Sequence, residues 1–527
     1  MLGDRHPLAT GTSRRVSRRT LLRATGGATA GLAAVPWLGR VAAAQDAATP
    51  EPAVGAAAWD DLAKRLRGRL LRPGDAMYAP ATIINATRYM AVRPAGIAVC
   101  GSPQDAATCV DWARTTGVAF AVRSGGHSYG GFSNSDGLVI DVKGMRAVTV
   151  DRAAGTVVVA AGASNDDVAA DLTPHGVYFP GGRCPTVGVS GLTLGGGWGF
   201  SCRHLGMTCD SLLATELVTA SGAIVTASEK DNPDLFWAVR GGAGGNFGVH
   251  TSFTYRVVPT IDVTVFQLAW SGGDTAALVA ALLHLQANGP RELGLRIGVG
   301  SQSRMPLSQP APLAVSVLGL YWGPAAAATA LLAPVERVQA PASRTVEQVS
   351  FAAGREFLAN TTPIGTYQIK SAFFQGTLPS QGIATMLDWI RKMPGVPSRV
   401  PEASVAIFGF GGKVNDVAPD ATAFVHRRED FLFVCEALWE PEDAPDVIQA
   451  NLDWLEHFYA AMQPYVSGGA YQNFPDRGLA DWQRAYYGAN LERLVRVKGA
   501  WDPDNLFRSP QSIPVRLPAG TPAAAGP

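Results

Sequence analysis

Two glycine-rich segments decide the fold of this chain: V-R-S-G-G-H-S-Y-G-G at residues 122–131 and G-G-R-C-P-T-V-G at residues 181–188. Each segment carries one nucleophilic side chain, the imidazole of His127 in the first and the thiol of Cys184 in the second. Glycine has no side chain and accepts positive φ, so turns built from it let the backbone approach a flat or anionic ligand closely. The sequence therefore predicts two turns whose His and Cys could both reach one ring system.

Three further motifs follow in the chain: G-G-A-G-G-N-F-G at 241–248, Y-Q-N-F-P-D at 471–476 and W-D-P-D-N-L-F at 501–507. In this order the five motifs resemble the FAD-linked oxidases related to vanillyl-alcohol oxidase, and within them the berberine-bridge-enzyme-like branch. The resemblance extends from about Arg93 to Pro514. It implies that FAD is bound through two covalent bonds, from His127 to the 8α-methyl carbon and from Cys184 to C6 of the flavin. Such substitution would raise the reduction potential of the flavin.

The same resemblance assigns further contacts with the cofactor. In that family, glycine-rich loops bring backbone N–H groups to the FAD pyrophosphate and isoalloxazine, where oriented amides offset negative charge. The residue three after the attached cysteine, here Val187, would face the flavin edge that oxygen must approach. The cofactor-binding residues predicted in this way are Arg123, Ser124, Gly125, Gly126, His127, Ser128, Cys184, Val187, Gly188, Gly191, Gly195, Gly248, Val249 and Asn473.

Tyr471 is the predicted catalytic residue, since it falls where many sugar-oxidising relatives place a tyrosine that takes the alcohol proton. A free phenol has a pKa near 10, so positive charge or hydrogen-bond donors would have to stabilise its phenolate. The alternative is a tyrosine that only packs over the cofactor. Alkaloid-oxidising relatives carry a glutamate on the strand before a Gly-Gly pair, but I-F-G-F-G-G at 407–412 has no carboxylate. This difference favours alcohol or hemiacetal oxidation over alkaloid ring closure.

The implied activity is that of an FAD-dependent oxidoreductase acting on CH–OH groups of a small molecule. It would remove a hydride from an alcohol or hemiacetal carbon of a sugar or natural product and pass the electrons to O₂, giving H₂O₂. A dehydrogenase that uses another electron acceptor is the alternative within the same class. The alternative outside the enzyme class is a flavoprotein that only binds its cofactor.

A serine hydrolase is a further alternative, because G-H-S-Y-G at 126–130 matches the G-x-S-x-G nucleophile elbow around Ser128. That elbow requires a helix after the serine. The next residues, G-F-S-N-S-D-G at 131–137, favour turns and contain few helix formers. The glycine-rich segments match neither the Rossmann nor the P-loop pattern.

Composition limits the class of protein and its partners. The 527 residues suffice for two domains, and the hydrophobic and charged fractions, 47% and 17%, are those of a globular protein. A formal net charge of +1 gives no reason to expect nucleic acid or a membrane surface as a partner. The six cysteines form no C-x-x-C pair, so no metal site is indicated. Cys202 and Cys209 could pair in an oxidising compartment, and the sequence leaves this open.

The first 44 residues read as a twin-arginine signal peptide. S-R-R-T-L-L-R at 17–23 is followed by a mildly apolar stretch, too short to span a bilayer, and by Ala42-Ala43-Ala44 as a cleavage site. That route carries folded proteins, which suits a chain that must acquire its cofactor first. The expected location is therefore secreted or periplasmic, with the export machinery as a partner of the precursor.

The rest of the chain is predicted to be an α+β protein with two domains. An FAD-binding domain of the PCMH type is expected over residues 45–260, with its core at about 92–260, and a substrate-binding domain over 261–466. The second domain is expected to be an antiparallel sheet with helices on one face. Residues 467–516 carry family motifs again and are expected to return to the first domain. Residues 517–527 read as a disordered Pro/Ala/Gly tail.

Overall fold

The structure is a computed structural model that describes residues 54–301, 312–359, 364–398 and 405–517. All of these residues belong to one contact unit that spans Ala48–Pro527. The predicted signal peptide lies outside the described residues, and so does the predicted tail from residue 518 onward. No helix in the described ranges is long and apolar enough to cross a membrane.

The chain begins with a small mixed sheet. Strand β1 runs antiparallel to β2, while β2 and β3 both pair in parallel with β4, in the order β1-β2-β4-β3. The elements of this region are helices α1 (Ala56–Arg65), α2 (Tyr78–Ala81) and α3 (Pro103–Thr116) and strands β1 (Arg69–Leu71), β2 (Gly96–Val99), β3 (Phe120–Arg123) and β4 (Leu138–Asp141).

A five-stranded antiparallel sheet follows, in the order β5-β6-β10-β8-β9. Its strands are β5 (Val148–Asp151), β6 (Thr156–Ala160), β8 (Leu212–Val218), β9 (Ile224–Ser228) and β10 (Val249–Arg256). Between them lie α4 (Asn165–Leu172), α5 (Val189–Leu194), α6 (Cys202–Leu205) and α7 (Pro233–Val239), and a short ladder joins β7 (Val177–Tyr178) to β11 (Val258–Pro259).

The ends of these helices follow from local sequence. Ser102 caps α3 by accepting a hydrogen bond from the Asp105 N–H, and Gly117 ends this helix in the left-handed conformation at φ 74°. Ser164 and Asp167 form a reciprocal capping box at the start of α4. Both helices therefore begin where a serine side chain accepts from a backbone N–H that has no partner within the helix.

The largest sheet has seven strands, all antiparallel, in the order β15-β12-β14-β13-β17-β18-β16. The α+β fold class and the antiparallel second sheet are thus confirmed. The strands are β12 (Val263–Ser271), β13 (Leu293–Ser301), β14 (Leu313–Tyr321), β15 (Ser343–Val349), β16 (Thr366–Phe374), β17 (Val405–Gly409) and β18 (Phe431–Trp439). The helices of this region are α8 (Thr275–Asn288), α9 (Ala325–Val338), α10 (Phe351–Leu358), α11 (Ser380–Arg391) and α12 (Pro445–Met462).

The two faces of this sheet are buried in different cores. Ile407 and Phe433 pack with residues of α8, α11 and α12 in one cluster, whereas Phe408 and Val434 belong to a second cluster that contains Tyr471. Adjacent residues of a strand point to opposite faces, so the alternation along β17 and β18 produces this division. One face of the sheet is therefore available to line the functional site. Helix α10 departs from the prediction that the helices pack on one face of this sheet, because its Phe351 and Leu358 pack in the second cluster.

The C-terminal segment packs in the core of the first half of the chain. Its elements are α13 (Trp482–Tyr487) and α14 (Leu491–Trp501), and Leu494 and Ile513 belong to the same buried cluster as the first two sheets. The boundaries predicted at residues 260 and 466 stay a prediction. The first of them lies between β11, which ends at Pro259, and β12, which begins at Val263.

The residues that the structure describes include all six cysteines, and no disulfide bond joins any two of them. Cys202 and Cys209 do not pair with each other, which answers the question that their sequence left open. Cys100, Cys109 and Cys435 are fully buried.

A buried ammonium group fixes the C-terminal segment to the first half of the chain. The Nζ of Lys498 donates hydrogen bonds to the Asn246 carbonyl at 2.7 Å, to Asp502 Oδ2 at 2.7 Å and to the Phe507 carbonyl at 2.5 Å. Neither Lys498 nor Asp502 is exposed to solvent. A buried charge is costly without its partner. Loss of either Lys498 or Asp502 is therefore expected to destabilise the fold.

We expect Lys498→Met to lower the free energy of unfolding by about 3–5 kcal/mol, because it leaves the Asp502 carboxylate buried without its counter-charge. Denaturant unfolding measures this loss. The control is Lys413→Met, which removes the same group from a half-exposed pair with Asp416 and should cost at most about 1 kcal/mol. Equal losses in the two variants would contradict the conclusion that the buried Lys498–Asp502 pair contributes more to stability than a half-exposed pair.

Candidate active site

The two glycine-rich turns touch each other through their backbones. A Cβ atom on Gly125 would lie 2.2 Å from the Gly188 nitrogen, and a Cβ on Gly188 would lie 2.3 Å from the Gly125 nitrogen. Cβ atoms do not approach other atoms so closely, so only glycine fits at both positions. This contact brings the segments of His127 and Cys184 together.

Hydrogen bonds from α4 hold the cysteine turn in place. Asn165, the first residue of that helix, donates from Nδ2 to the Cys184 carbonyl at 2.9 Å and from its backbone N–H to the Val187 carbonyl at 3.0 Å. The next residue, Asp166, donates its N–H to the Pro185 carbonyl at 3.0 Å. The two backbone donors come from the start of a helix, where N–H groups lack intrahelical partners.

His127 is partly buried at the edge of the same site. Its Nε2 lies 2.9 Å from the Thr186 hydroxyl, in the cysteine turn. Burial, with a smaller contribution from Lys143, lowers the pKa of His127 to about 4. The ring is therefore neutral near pH 7 and keeps one nitrogen lone pair. The hydroxyl of Thr186 helps to orient the ring.

The turns open into a cavity of about 290 Å³ between the glycine-rich loops and the large sheet. Twelve of the fifteen predicted site residues line it. They are Ser124, Gly125, Gly126, His127, Ser128, Cys184, Val187, Gly188, Gly191, Gly248, Tyr471 and Asn473.

The other three predicted residues lie behind the cavity wall. Arg123 is fully buried and donates from Nε to Asp141 Oδ2 at 2.9 Å. Gly195 makes room for Asn473, since a Cβ there would lie 2.1 Å from the Asn473 Oδ1. Val249 is buried on β10. These residues support the wall rather than form its surface.

The hydroxyl oxygen of Tyr471 accepts three hydrogen bonds. The donors are the backbone N–H groups of Gly197 at 3.1 Å and Trp198 at 3.2 Å and the side-chain amide of Asn473 at 3.2 Å. Burial raises the pKa of Tyr471 above its usual range, while the three donors act in the opposite direction. Asn473 also donates to the Leu192 carbonyl at 2.9 Å, which fixes its amide orientation.

Sequence reasoning missed several polar and aromatic residues of the cavity. Arg183 precedes Cys184 and His250 follows Val249, so adjacency to a motif could have indicated both. Tyr129, Gln472 and Phe474 lie within quoted motifs but were given no role there. The remaining missed residues are Asn85, Trp198 and Phe408.

Hydrogen bonding fixes the tautomer of His250. Its Nδ1 lies 2.8 Å from the Thr215 hydroxyl, and that hydroxyl lies 2.7 Å from the Ser252 carbonyl, to which it donates its proton. His250 must then donate from Nδ1, which leaves Nε2 as an acceptor. Burial lowers the pKa of His250 to about 3, so this ring is also neutral.

The serine-hydrolase interpretation of Ser128 is wrong. No helix follows Ser128: the segment to Gly137 consists of turns, and the next strand is β4. The Ser128 hydroxyl accepts a hydrogen bond from the Phe132 N–H at 3.1 Å. The strand–turn–helix geometry of a nucleophile elbow is therefore missing here.

Comparison with known proteins defines the class. Residues 94–228 match the family model of the FAD binding domain, and residues 470–514 match that of berberine and berberine-like proteins. The chain is 34% identical over 464 residues to an uncharacterized FAD-linked oxidoreductase, YgaK, of Bacillus subtilis, covering 85% of this chain and 97% of the relative. It is 31% identical over 454 residues to a xylooligosaccharide oxidase of Thermothelomyces thermophilus, covering 80% and 87%. The protein is thus an oxidoreductase that binds FAD.

Solved structures agree with this class. The wild-type berberine-bridge-enzyme-like protein 1 of Physcomitrella patens superposes with a TM-score of 0.76 at 29% identity, covering 87% of this chain and 99% of the other. The xylooligosaccharide oxidase of Myceliophthora thermophila in complex with xylobiose gives 0.76 at 28% identity, covering 87% and 100%. This chain belongs to the berberine-bridge-enzyme-like family of FAD-linked oxidoreductases.

The residues of the cavity fit this cofactor. The two glycine turns leave a wall without side chains at Gly125 and Gly188, and Gly244, Gly245 and Gly248 add further lining positions without side chains. A flat ring system can approach these positions closely. Among the described residues no group of three or more His, Cys, Asp or Glu side chains could hold a metal ion.

Proposed function

We propose that this protein is an oxidase that removes a hydride from an alcohol or hemiacetal carbon of a sugar or natural product and transfers the electrons to O₂. Bound FAD would supply the two-electron acceptor. The observation that carries this proposal is the Tyr471 hydroxyl, which lines the same cavity as His127 and Cys184 and accepts three N–H donors. The similarity to a xylooligosaccharide oxidase supports a sugar as the substrate.

Tyr471 is proposed as the base that accepts the proton of the substrate hydroxyl. A neutral phenol offers two lone pairs, whereas a phenolate offers three, so three donors on one oxygen match the phenolate better. Hydrogen bonds to the charged form of a group favour that form. Gly197, Trp198 and Asn473 would therefore offset the cost of placing a negative charge in a buried position.

His127 and Cys184 are proposed to bind the flavin covalently, at the 8α-methyl carbon and at C6. The low pKa of His127 supports this role, because a neutral imidazole keeps a lone pair for bond formation. The thiol of Cys184 lines the same cavity.

Export by the twin-arginine route to a location outside the cytoplasm is also proposed. It is supported by Arg18 and Arg19 within the motif at residues 17–23 and by the cleavage site at residues 42–44. Two covalent bonds would retain the cofactor where no free FAD can replace it.

We expect the flavin to stay with the polypeptide after acid precipitation. His127→Ala and Cys184→Ala should each retain it through the remaining bond, and the double variant should release it. Absorbance of the washed precipitate near 450 nm measures retention. His457→Ala, which removes an exposed imidazole on α12, is the control and should change nothing. Release of flavin from the wild-type protein would contradict the covalent assignment.

We expect the wild-type protein to release H₂O₂ when it oxidises a reducing sugar or an alcohol. Val187 is half-buried and lines the cavity, and its short side chain would leave space for O₂ beside the cofactor. A panel of mono- and oligosaccharides and aromatic alcohols, with flavin bleaching and peroxide both recorded, tests this. Bleaching followed by slow reoxidation in air would identify a dehydrogenase instead, and no bleaching with any compound would refute both.

We expect Tyr471→Phe to slow flavin reduction by about 10²-fold or more, which is the usual contribution of a positioned general base. Flavin content should be unchanged, because the ring is retained and only one hydroxyl is lost. Stopped-flow absorbance measures the rate. The control is Tyr487→Phe, whose buried hydroxyl lies 3.4 Å from the Gly242 carbonyl. An unchanged rate in Tyr471→Phe would show that Tyr471 only packs over the cofactor and is not the base.

A further inference from the structure

Two charged side chains lie on the cavity-facing side of the large sheet, on strands without any sequence motif. Arg296 is paired in register with Phe408, a residue of the cavity wall, and its guanidinium lies 5.6 Å from the centre of that ring. Its neighbours Leu295 and Ile297 pack in the opposite core. On β18, Cys435 and Ala437 pack in that same core, so Glu436 between them faces the cavity side.

A second arginine approaches the same place from the cysteine turn. Arg183 lines the cavity directly beside Cys184. Arg296 is close enough to Arg183 to be repelled by it and to Glu436 to be attracted by it. Burial and the repulsion from Arg183 lower the pKa of Arg296 to about 10, so it stays a cation near pH 7.

Arg183, Arg296 and Glu436 form a charged cluster, and their charges do not cancel. Arg183 and Arg296 carry two positive charges, and Glu436 carries one negative charge. The Nε of Arg296 is buried and has no hydrogen-bond partner among the residues that the structure describes. By contrast, the Nε of the buried Arg427 donates to the Phe424 carbonyl at 3.2 Å. Excess charge away from water is costly unless a partner of opposite sign compensates it.

We propose that Arg296 and Arg183 form an anion subsite in the cavity, and that the substrate is a sugar bearing a carboxylate or phosphate group. The guanidinium group presents planar pairs of donors that match either anion. A bound monoanion would bring the cluster to neutrality, whereas a neutral sugar would leave one positive charge uncompensated. This inference rests on the proposed oxidation of a sugar and specifies the chemical class of that sugar.

The test compares matched acidic and neutral sugars as reductants of the flavin. The pairs are glucuronate with glucose, galacturonate with galactose, and an aldobiouronic acid with its neutral disaccharide, and glucose 6-phosphate separates phosphate from carboxylate. We expect the acidic member of at least one pair to have the lower KM. A charge-assisted hydrogen bond contributes a factor of about 10–100 in affinity.

Variants assign the effect to the cluster. Arg296→Gln should raise KM for the acidic sugar by about 10- to 100-fold, with kcat and the KM of the neutral sugar nearly unchanged. Arg183→Gln, in a loop, should act in the same direction if Arg296→Gln does not fold. Glu436→Gln should lower KM for the acidic sugar by removing the competing carboxylate. The control is Arg344→Gln, on the edge strand β15 of the same sheet, where Arg344 pairs with Glu336 near solvent.

The failures of the two proposals are distinguishable. Oxidation of neutral sugars in preference to acidic ones, or equal effects of Arg296→Gln on both, overturns the anion subsite and leaves the proposed oxidase intact. Bleaching by an aromatic alcohol but by no sugar overturns the anion subsite for a sugar and leaves the oxidase intact, whereas failure of every sugar and alcohol to bleach the flavin overturns both.

Discussion

The site depends on one backbone contact, the close approach of Gly125 to Gly188. No side chain fits between the two turns, which are 63 residues apart in the chain, so this contact sets the separation of the histidine and cysteine segments. A single carbonyl reinforces it, because Ser124 and Ser190 both donate to the Ala161 oxygen, at 2.8 and 2.6 Å. The separation of the two turns is therefore set mainly by backbone atoms. Side-chain substitutions elsewhere in the cavity do not disturb these atoms.

The tyrosine is positioned by both halves of the protein. The backbone N–H of Tyr471 donates to the Ser371 hydroxyl on β16 at 3.1 Å, and Gln472 donates to the Gly241 carbonyl in the first half at 2.8 Å. Lys370, 2% exposed, forms ion pairs with Asp476 of the same segment and with Glu456 of α12. The segment thus joins the large sheet to the glycine-rich loops, and the hydroxyl of Tyr471 reaches its N–H donors only when these parts are assembled.

Local signals made much of this structure predictable. Caps such as Ser102 and Ser164 and the glycine turns depend on neighbouring residues, so the sequence alone indicates them. Strand order in the large sheet depends on contacts between distant segments, for which a single sequence holds no local pattern. Arg296 and Glu436 were missed for that reason. Their common face follows from the pairing of β13 and β18 with β17, and no spacing in the chain reveals it.

The contacts that position Tyr471 and the two glycine-rich turns are made mainly by backbone atoms. The donors to Tyr471 are two backbone N–H groups and one amide, and the turns around His127 and Cys184 meet through backbone. On the side of the large sheet, the side chain of Phe408 lines the cavity, and Arg296 packs beside that ring on the neighbouring strand. The Nε of Arg296 is buried, and electrostatic interactions strengthen as the surrounding dielectric falls. In the proposed anion subsite, Arg296 is therefore the position at which one substitution would alter substrate selection most while leaving the hydrogen bonds of Tyr471 intact.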